Sequence, residues 1–261
     1  MKKITTLALM GVLAASMAFA ASNEVYSVNV VGFQKKELPP AGAYILTACN
    51  FEVGTSNTLL SVFGTNMLTQ AASYLNCDRV VLYDASTHTY QAWGQYTDGI
   101  FYKAGNLAEW NQSISGNPEI PVGTGFFISS AGDSTATNVL TYVGDVVVAE
   151  TQNIPIVEGY QLISYPFSSD IAIQDMSFVN DGATTAASYL NADSISTFDN
   201  GSYQKYAVYT DGVWYKANDL AEWNQSIVAD EQVKSGEGFF YNAQADLTWS
   251  ETNKYLQSLS E

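Results

Sequence analysis

Apolar and polar residues alternate along this chain in short runs, and turn residues punctuate them. The runs RVVLYD (79–84) and TYQAWGQY (89–96) are rich in β-branched and aromatic residues, as are SISTF (194–198) and YQKYAVY (203–209). Runs of this length and composition, bounded by turn signals, predict β-strands. Asn200-Gly201 between the second pair predicts a tight hairpin, and Thr-Asp-Gly at 97–99 and 210–212 predicts a further turn into IFYKA and VWYKA. Only residues 58–64, 171–178 and the two Leu-Ala-Glu-Trp words predict short helical turns. The expected fold is all-β: two tandem, internally duplicated antiparallel β-sandwich or barrel-like domains.

The duplication is written in the pattern itself. Residues 96–114 (YTDGIFYKAGNLAEWNQSI) return at 209–227 (YTDGVWYKANDLAEWNQSI) with fifteen of nineteen positions identical. AASYLN occurs at 71–76 and 186–191, and GTGFF at 123–127 returns as GEGFF at 236–240. Upstream, Tyr44, Leu46 and Phe51 match Tyr160, Leu162 and Phe167; late in each copy, VLTY at 139–142 matches DLTW at 246–249. A repeat this long is a domain rather than a solenoid unit. The expected division is a leader at 1–20, one β-domain at 21–145 and a second at 146–261. Each copy is expected to open with an extended strand and a Pro-containing link, Pro155 lying under Pro39. The first copy has DASTHTY where the second has DNGSY, so its two extra residues fall in a hairpin loop, where insertions are tolerated.

The N-terminus changes the picture of location. Lys2 and Lys3, an apolar stretch and Ala18-Phe19-Ala20 have the form of a secretory signal peptide cleaved after Ala20. No Cys follows that site to carry a lipid, and no later run is long enough for a transmembrane helix. The mature chain is therefore expected to be secreted, extracellular or at the cell surface, with the periplasm as an alternative. Loss of the leader leaves 8 Lys and Arg against 26 Asp and Glu, a formal charge of −18. Such a surface repels phosphate backbones and disfavours nucleic acid as a partner. Cys49 and Cys77 are both absent from the second copy, where Tyr165 and Ala192 stand. In an oxidising compartment they are read as one disulfide, with two buried thiols as the alternative.

No residue set identifies a reaction. His88, the sole histidine, sits in the loop insertion and is read as a solvated loop residue. Asp98 and Asp211 are accounted for by their turns, and Glu109 and Glu222 by a capping or backbone-tying role, although paired carboxylates could serve glycoside hydrolysis. Acidic loops give a weak signal for Ca2+, without a recognised loop motif; no other cofactor is indicated. Gly-x-Gly-Phe-Phe is read as a turn and bulge whose glycines take positive φ ahead of a core strand. Asn111 and Asn224 match the glycosylation sequon. The candidate binding surface is the duplicated stretch: Phe101, Tyr102, Lys103, Trp110, Asn111 and Gln112, with Trp214, Tyr215, Lys216, Trp223, Asn224 and Gln225. Exposed rings there could stack on sugars or a partner; the competing reading makes the two tryptophans core anchors.

The ordered motifs EVYSVNVVGF, GYQLIS, YQKY, SGEGFF and LTYVGDV resemble those of secreted tandem β-domain proteins of Verrucomicrobia, Lentisphaerae and related bacteria. The resemblance spans nearly the whole mature chain and implies export, β-domains and a surface role, with no catalytic residue to carry over. The expected function is a non-enzymatic exported component of a surface, matrix or appendage, self-association included. The alternative is an adhesin-like module binding a cell-surface glycan or protein through the duplicated aromatics.

Overall fold

The computed structural model describes residues 30–38, 40–131, 139–199 and 201–254. The expected signal peptide, Pro39, Asn200 and all of EVYSVN (24–29) lie outside them. The first half contains β1 (Val31–Glu37), β2 (Tyr44–Ala48), β3 (Phe51–Glu52), β4 (Arg79–Asp84), β5 (Thr89–Gln95), β6 (Phe101–Lys103), β7 (Gly125–Ser129) and β8 (Val139–Val146). The second contains β9 (Thr151–Ile156), β10 (Gly159–Ser164), β11 (Ile171–Ala172), β12 (Ser194–Asp199), β13 (Ser202–Val208), β14 (Trp214–Lys216), β15 (Gln232–Val233), β16 (Gly238–Ala243) and β17 (Leu247–Thr252).

The fold is all-β, antiparallel and sandwich-like, and none of its sheets closes into a barrel. One five-stranded sheet runs β2-β7-β4-β5-β6 and the other β10-β16-β12-β13-β14, the same order written with equivalent strands. The smaller sheets are β1-β8-β3, β9-β17 and β11-β15. The β4–β5 register closes on Asp84↔Thr89 and the β12–β13 register on Asp199↔Ser202. The two extra residues of the first half are thus confined to the hairpin tip, and His88 takes a positive φ of 54° there.

Each half has its own core between its five-stranded sheet and the strand pair β1/β8 or β9/β17. In the first, α1 (Leu59–Phe63) is started by a capping box, Thr58 Oγ1 accepting from Ser61 N while Ser61 Oγ accepts from Thr58 N. It delivers Phe63 against Phe126 (5.8 Å), Tyr142 (5.9 Å) and Phe101 (6.4 Å). In the second, the 3-10 turn Ser177–Val179 delivers Phe178, which stacks between Tyr241 (4.2 Å) and Trp249 (4.3 Å). Burying a side chain of this size contributes roughly 1.5–3 kcal/mol.

The Phe-Phe pair divides its labour by strand alternation. Phe126 and Phe239 point into their own cores. Phe127 and Phe240 point out of the opposite face and form a separate apolar cluster with Leu46 and Leu162. This cluster joins the two halves, and from Val31 onward the described residues form one compact unit. The contacts are reciprocal. Ala48 N donates to Gly236 O (3.0 Å), and its equivalent Ser164 N donates to Gly123 O (2.9 Å). Gln34 of β1 packs on the Ser235-Gly236 turn, as Ile154 of β9 packs on Gly123.

Three expectations are corrected. In Gly-x-Gly-Phe-Phe only the first glycine has positive φ, 90° at Gly123 and 69° at Gly236. The second serves close approach: a Cβ on Gly125 would lie 2.7 Å from Ile163 O, and one on Gly238 3.1 Å from Thr47 O. Cys49 and Cys77 are not joined in a disulfide; both are free and buried. They belong to separate clusters, Cys49 beside Phe51 in the first core and Cys77 beside Ala104 and Trp110. Burial pushes both thiols up to about 11. Pro155 is not in a link but inside β9, opposite Thr248, on a strand that pairs with β17 and with no other strand among the described residues. A strand with one unpaired edge accommodates a residue without an N–H.

Candidate functional site

The duplicated segment is held mostly by its own internal bonds. Asp98 Oδ1 accepts from Ile100 N (2.9 Å) and Oδ2 from the Tyr102 hydroxyl (3.0 Å); Asp211 repeats this with Val213 N (2.9 Å) and Tyr215 (2.9 Å). That bond to the Asp98 or Asp211 carboxylate raises the Tyr102 and Tyr215 phenols. The helices α2 (Leu107–Asn111) and α3 (Leu220–Gln225) are N-capped by Asn106 and Asp219. Glu109 and Glu222 tie back to Gly105 N and Asn218 N, both at 3.0 Å.

The side chains expected to form a binding surface are divided: Tyr102, Trp110 and Asn111 line a cleft of about 290 Å³ with Tyr96 and Ala72, whereas Phe101 and Trp214 belong to the cores. Phe101, Trp214, Trp110 and Trp223 are buried. The Trp110 indole N–H donates to Ala72 O (3.1 Å) and that of Trp223 to Ala187 O (3.0 Å), so the AASYLN word is the lid these anchors hold. Tyr102, Lys103, Tyr215 and Lys216 are half-buried, while Asn111, Gln112, Asn224 and Gln225 are exposed on the helices. The tryptophans are core anchors, and no exposed aromatic platform is built from them.

A different aromatic group converges where the halves meet. Phe127 and Phe240 lie 5.9 Å apart at its centre. Around them the ring contacts come in matched pairs. Tyr83 meets Phe240 at 6.4 Å, and its counterpart Phe198 meets Phe127 at 5.7 Å. Tyr90 meets Phe127 at 6.4 Å and Tyr203 meets Phe240 at 5.9 Å. Tyr44 meets Phe127 at 6.2 Å and Tyr160 meets Phe240 at 6.5 Å. The arrangement has approximate twofold symmetry within one chain.

At one end of this cluster a cleft of about 440 Å³ is lined by Tyr83, Tyr90, Tyr160, Tyr203 and Phe240, with His88 and Ser196 at its margin. Tyr90 and Tyr203 are each 53% exposed and Tyr160 is 47% exposed, so the rings present both an apolar face and a hydroxyl. Burial, then the neighbouring Tyr160 and Asp84, raises the Tyr83 phenol; burial, then Tyr203 and Tyr83, raises that of Tyr90; and burial raises that of Tyr203, so all three are neutral donors at ordinary pH. The loop insertion shapes this end. His88 Nδ1 lies 3.2 Å from the Tyr83 hydroxyl, and its ring abuts Gly159, which has a φ of 98°. At the opposite end the short hairpin leaves a wider cleft of about 770 Å³, lined in part by Ala43, Tyr44, Phe198 and Gly201.

The sequence pairs Tyr44 with Tyr160, and the words DASTHTY and DNGSY end on Tyr90 and Tyr203, but no local signal assigns these tyrosines to a site. The available signal was the repetition of tyrosine at outward strand positions in both copies. Among the described residues no group of three or more His, Cys, Asp and Glu side chains could hold a metal ion, so the weak calcium expectation acquires no ligand set. No helix among the described residues is long and apolar enough to cross a membrane. No protein-family model, curated protein or solved structure gives a significant match to this chain.

Proposed function

We propose that this is an exported, non-catalytic carbohydrate-binding protein whose ligand lies in the cleft between its halves. The observation that carries the reading is the convergence of the half-exposed rings of Tyr90, Tyr160 and Tyr203 on one cleft. The C–H face of a sugar ring stacks on such an aromatic, while phenol hydroxyls, His88 and Ser196 supply hydrogen bonds at the margin. The strong negative charge of the chain favours a neutral glycan over a uronic or sulfated one. Export rests on the leader sequence, and a surface location on the resemblance to secreted tandem β-domain proteins.

Calorimetric titration against neutral oligosaccharides chosen from a glycan array tests this. Tyr90→Ala and Tyr203→Ala are each expected to weaken binding about tenfold, equivalent to roughly 1.4 kcal/mol. Asn111→Ala, on the duplicated segment, is expected to leave it unchanged. An array without a neutral-glycan hit, or full binding by both Tyr variants, refutes the assignment. The building-block reading draws on a different feature, the exposed face of β1.

A further inference from the structure

Each half carries a corner built of three aromatic rings. In the first, the ring centroids of Tyr96, Tyr102 and Trp110 are 5.8–6.1 Å apart and their planes are inclined at 52–77°. In the second, those of Tyr209, Tyr215 and Trp223 are 5.6–6.2 Å apart and inclined at 62–89°. Rings so disposed bound a corner rather than a stack. The first set lines the cleft of about 290 Å³ together with Ala72, Asn111 and Ser113. Tyr96 and Tyr102 are half-buried there, and Trp110, held by its indole N–H, forms the buried side.

The corner has been kept while its surroundings changed. Gly94 and Cys77, which pack behind Trp110, are Ala207 and Ala192 in the second half, and Phe101 is Trp214. All three rings recur, and so do Asp98 as Asp211, Asn111 as Asn224 and Ser113 as Ser226. Ser113, on the lining, and Ser226 both hold a φ of 50°, a region that favours glycine, so each side chain is retained at some cost to the backbone.

The lining suits a cation that has no N–H groups. A charge seated in the corner lies within about 6 Å of all three centroids, the range over which aromatic rings attract it. No basic side chain lines the cleft, and the Tyr102 hydroxyl donates to Asp98 Oδ2 at 3.0 Å, which polarises the phenol and sets a carboxylate beside it. The formal charge of −16 adds attraction at longer range. A primary ammonium would need acceptors to replace its water, and the lining offers few beyond the side chains of Asn111 and Ser113; a methylated ammonium needs none. The second half already holds a cation on a neighbouring ring: Lys205 Nζ is 5.6 Å from the centroid of Tyr189, which contacts Trp223 at 6.0 Å.

We propose that each corner binds a quaternary ammonium head group of the choline type, its methyl groups against the three rings. The cleft is small for an oligosaccharide and takes a single head group. This site shares no residue with the tyrosine cleft and does not rest on the glycan reading.

Calorimetric titration of the mature chain with choline tests it, against the neutral tert-butyl analogue in which carbon replaces nitrogen. Choline is expected to bind at least about tenfold more tightly than that analogue, with one site in each half. Tyr102→Leu and Tyr215→Leu keep an apolar side chain without a ring. Each is expected to halve the choline taken up, and the double variant to weaken binding by at least about tenfold with unchanged circular dichroism. Tyr102→Phe, which keeps the ring, is expected to lose less than Tyr102→Leu. Flotation with phosphatidylcholine vesicles, with phosphatidylethanolamine as reference, separates the sources. Capture by the former alone assigns the head group to a lipid; choline binding without capture assigns it to a soluble ligand. No uptake of choline, equal affinity for the neutral analogue, or a double variant that binds choline as the wild type does overturns the proposal. The analogue comparison uses the unaltered chain, so it decides the matter even where a leucine variant fails to fold. Glycan titration of the leucine variants is expected to match the wild type, so the two readings fail separately.

Discussion

Cys49 and Cys77 behave in this structure as small apolar side chains. The second half fills the same places with Tyr165 and Ala192, both buried, so burial rather than thiol chemistry is what these positions share. Burial raises both thiols from 9.0 to about 11 and the Tyr165 phenol from 10.0 to about 12. Burial also raises Tyr142, Tyr206 and Tyr241. Each of these groups is neutral in the fold and ionises more readily in the unfolded chain. Their stabilisation is complete below the unfolded-chain values and is lost as pH climbs, from 9.0 through about 11 for the thiols and from 10.0 through about 12 for Tyr165. The denaturant midpoint is therefore expected to fall steeply over that alkaline window. Phenolate absorbance should rise in two steps, the second coinciding with loss of the near-ultraviolet dichroism. Native thiols as reactive toward a disulfide reagent as those of the urea-unfolded chain would contradict the burial argument.

At the scale of elements, strands and turns were legible because their causes are local. The runs at 79–84 and 194–198 became β4 and β12, and the length difference between DASTHTY and DNGSY placed the insertion in the hairpin. The short helices also follow their local signals, Thr58 and Asn106 standing at the caps. What covers the outward face of a strand is not a local property. Phe126 and Phe127 are the same residue type, adjacent in sequence, and only the assembled sheets assign one to its own core and the other to the junction. The same limit concealed the convergence of Tyr90 and Tyr203 on one cleft. It also left Trp110 and Trp223 open between anchor and platform until their indole N–H groups were seen bonded to Ala72 and Ala187. Trp223→Ala is expected to destabilise the protein by about 3–5 kcal/mol through the cavity it leaves. Trp223→Phe retains most of the packing and loses only the hydrogen bond to the exposed Ala187 O, a cost of about 0.5–1.5 kcal/mol. Chemical denaturation checks both values. If Trp223→Ala instead left stability intact and abolished glycan binding, the tryptophan would be a ligand contact rather than an anchor.

For the molecule as a whole, the question is whether the repeated halves unfold separately. Each has its own aromatic core, which argues for independence. The junction argues against it. Leu46, Phe127, Leu162 and Phe240 are all buried there, and both Gly-x-Gly turns bond across to the other half. Gly125 and Gly238 allow the backbones to approach so closely that a Cβ on Gly125 would meet Ile163 O at 2.7 Å. The first strand of each half also packs on the turn of the other, so separation would expose β1 and β9 together with the junction. A single cooperative transition is expected, with the calorimetric enthalpy equal to the van't Hoff enthalpy. Phe127→Ala and Phe240→Ala are each expected to cost about 3–5 kcal/mol and to lower that one transition. Their rings are 5.9 Å apart, so the double variant should depart from additivity, with a coupling energy of about 0.5–3 kcal/mol. The decisive measurement is scanning calorimetry of the two single variants. Independent halves would give two peaks, and each substitution at the junction would shift both peaks only slightly. Coupled halves keep one peak that moves as a whole, because removing either phenylalanine weakens the same contact from opposite sides.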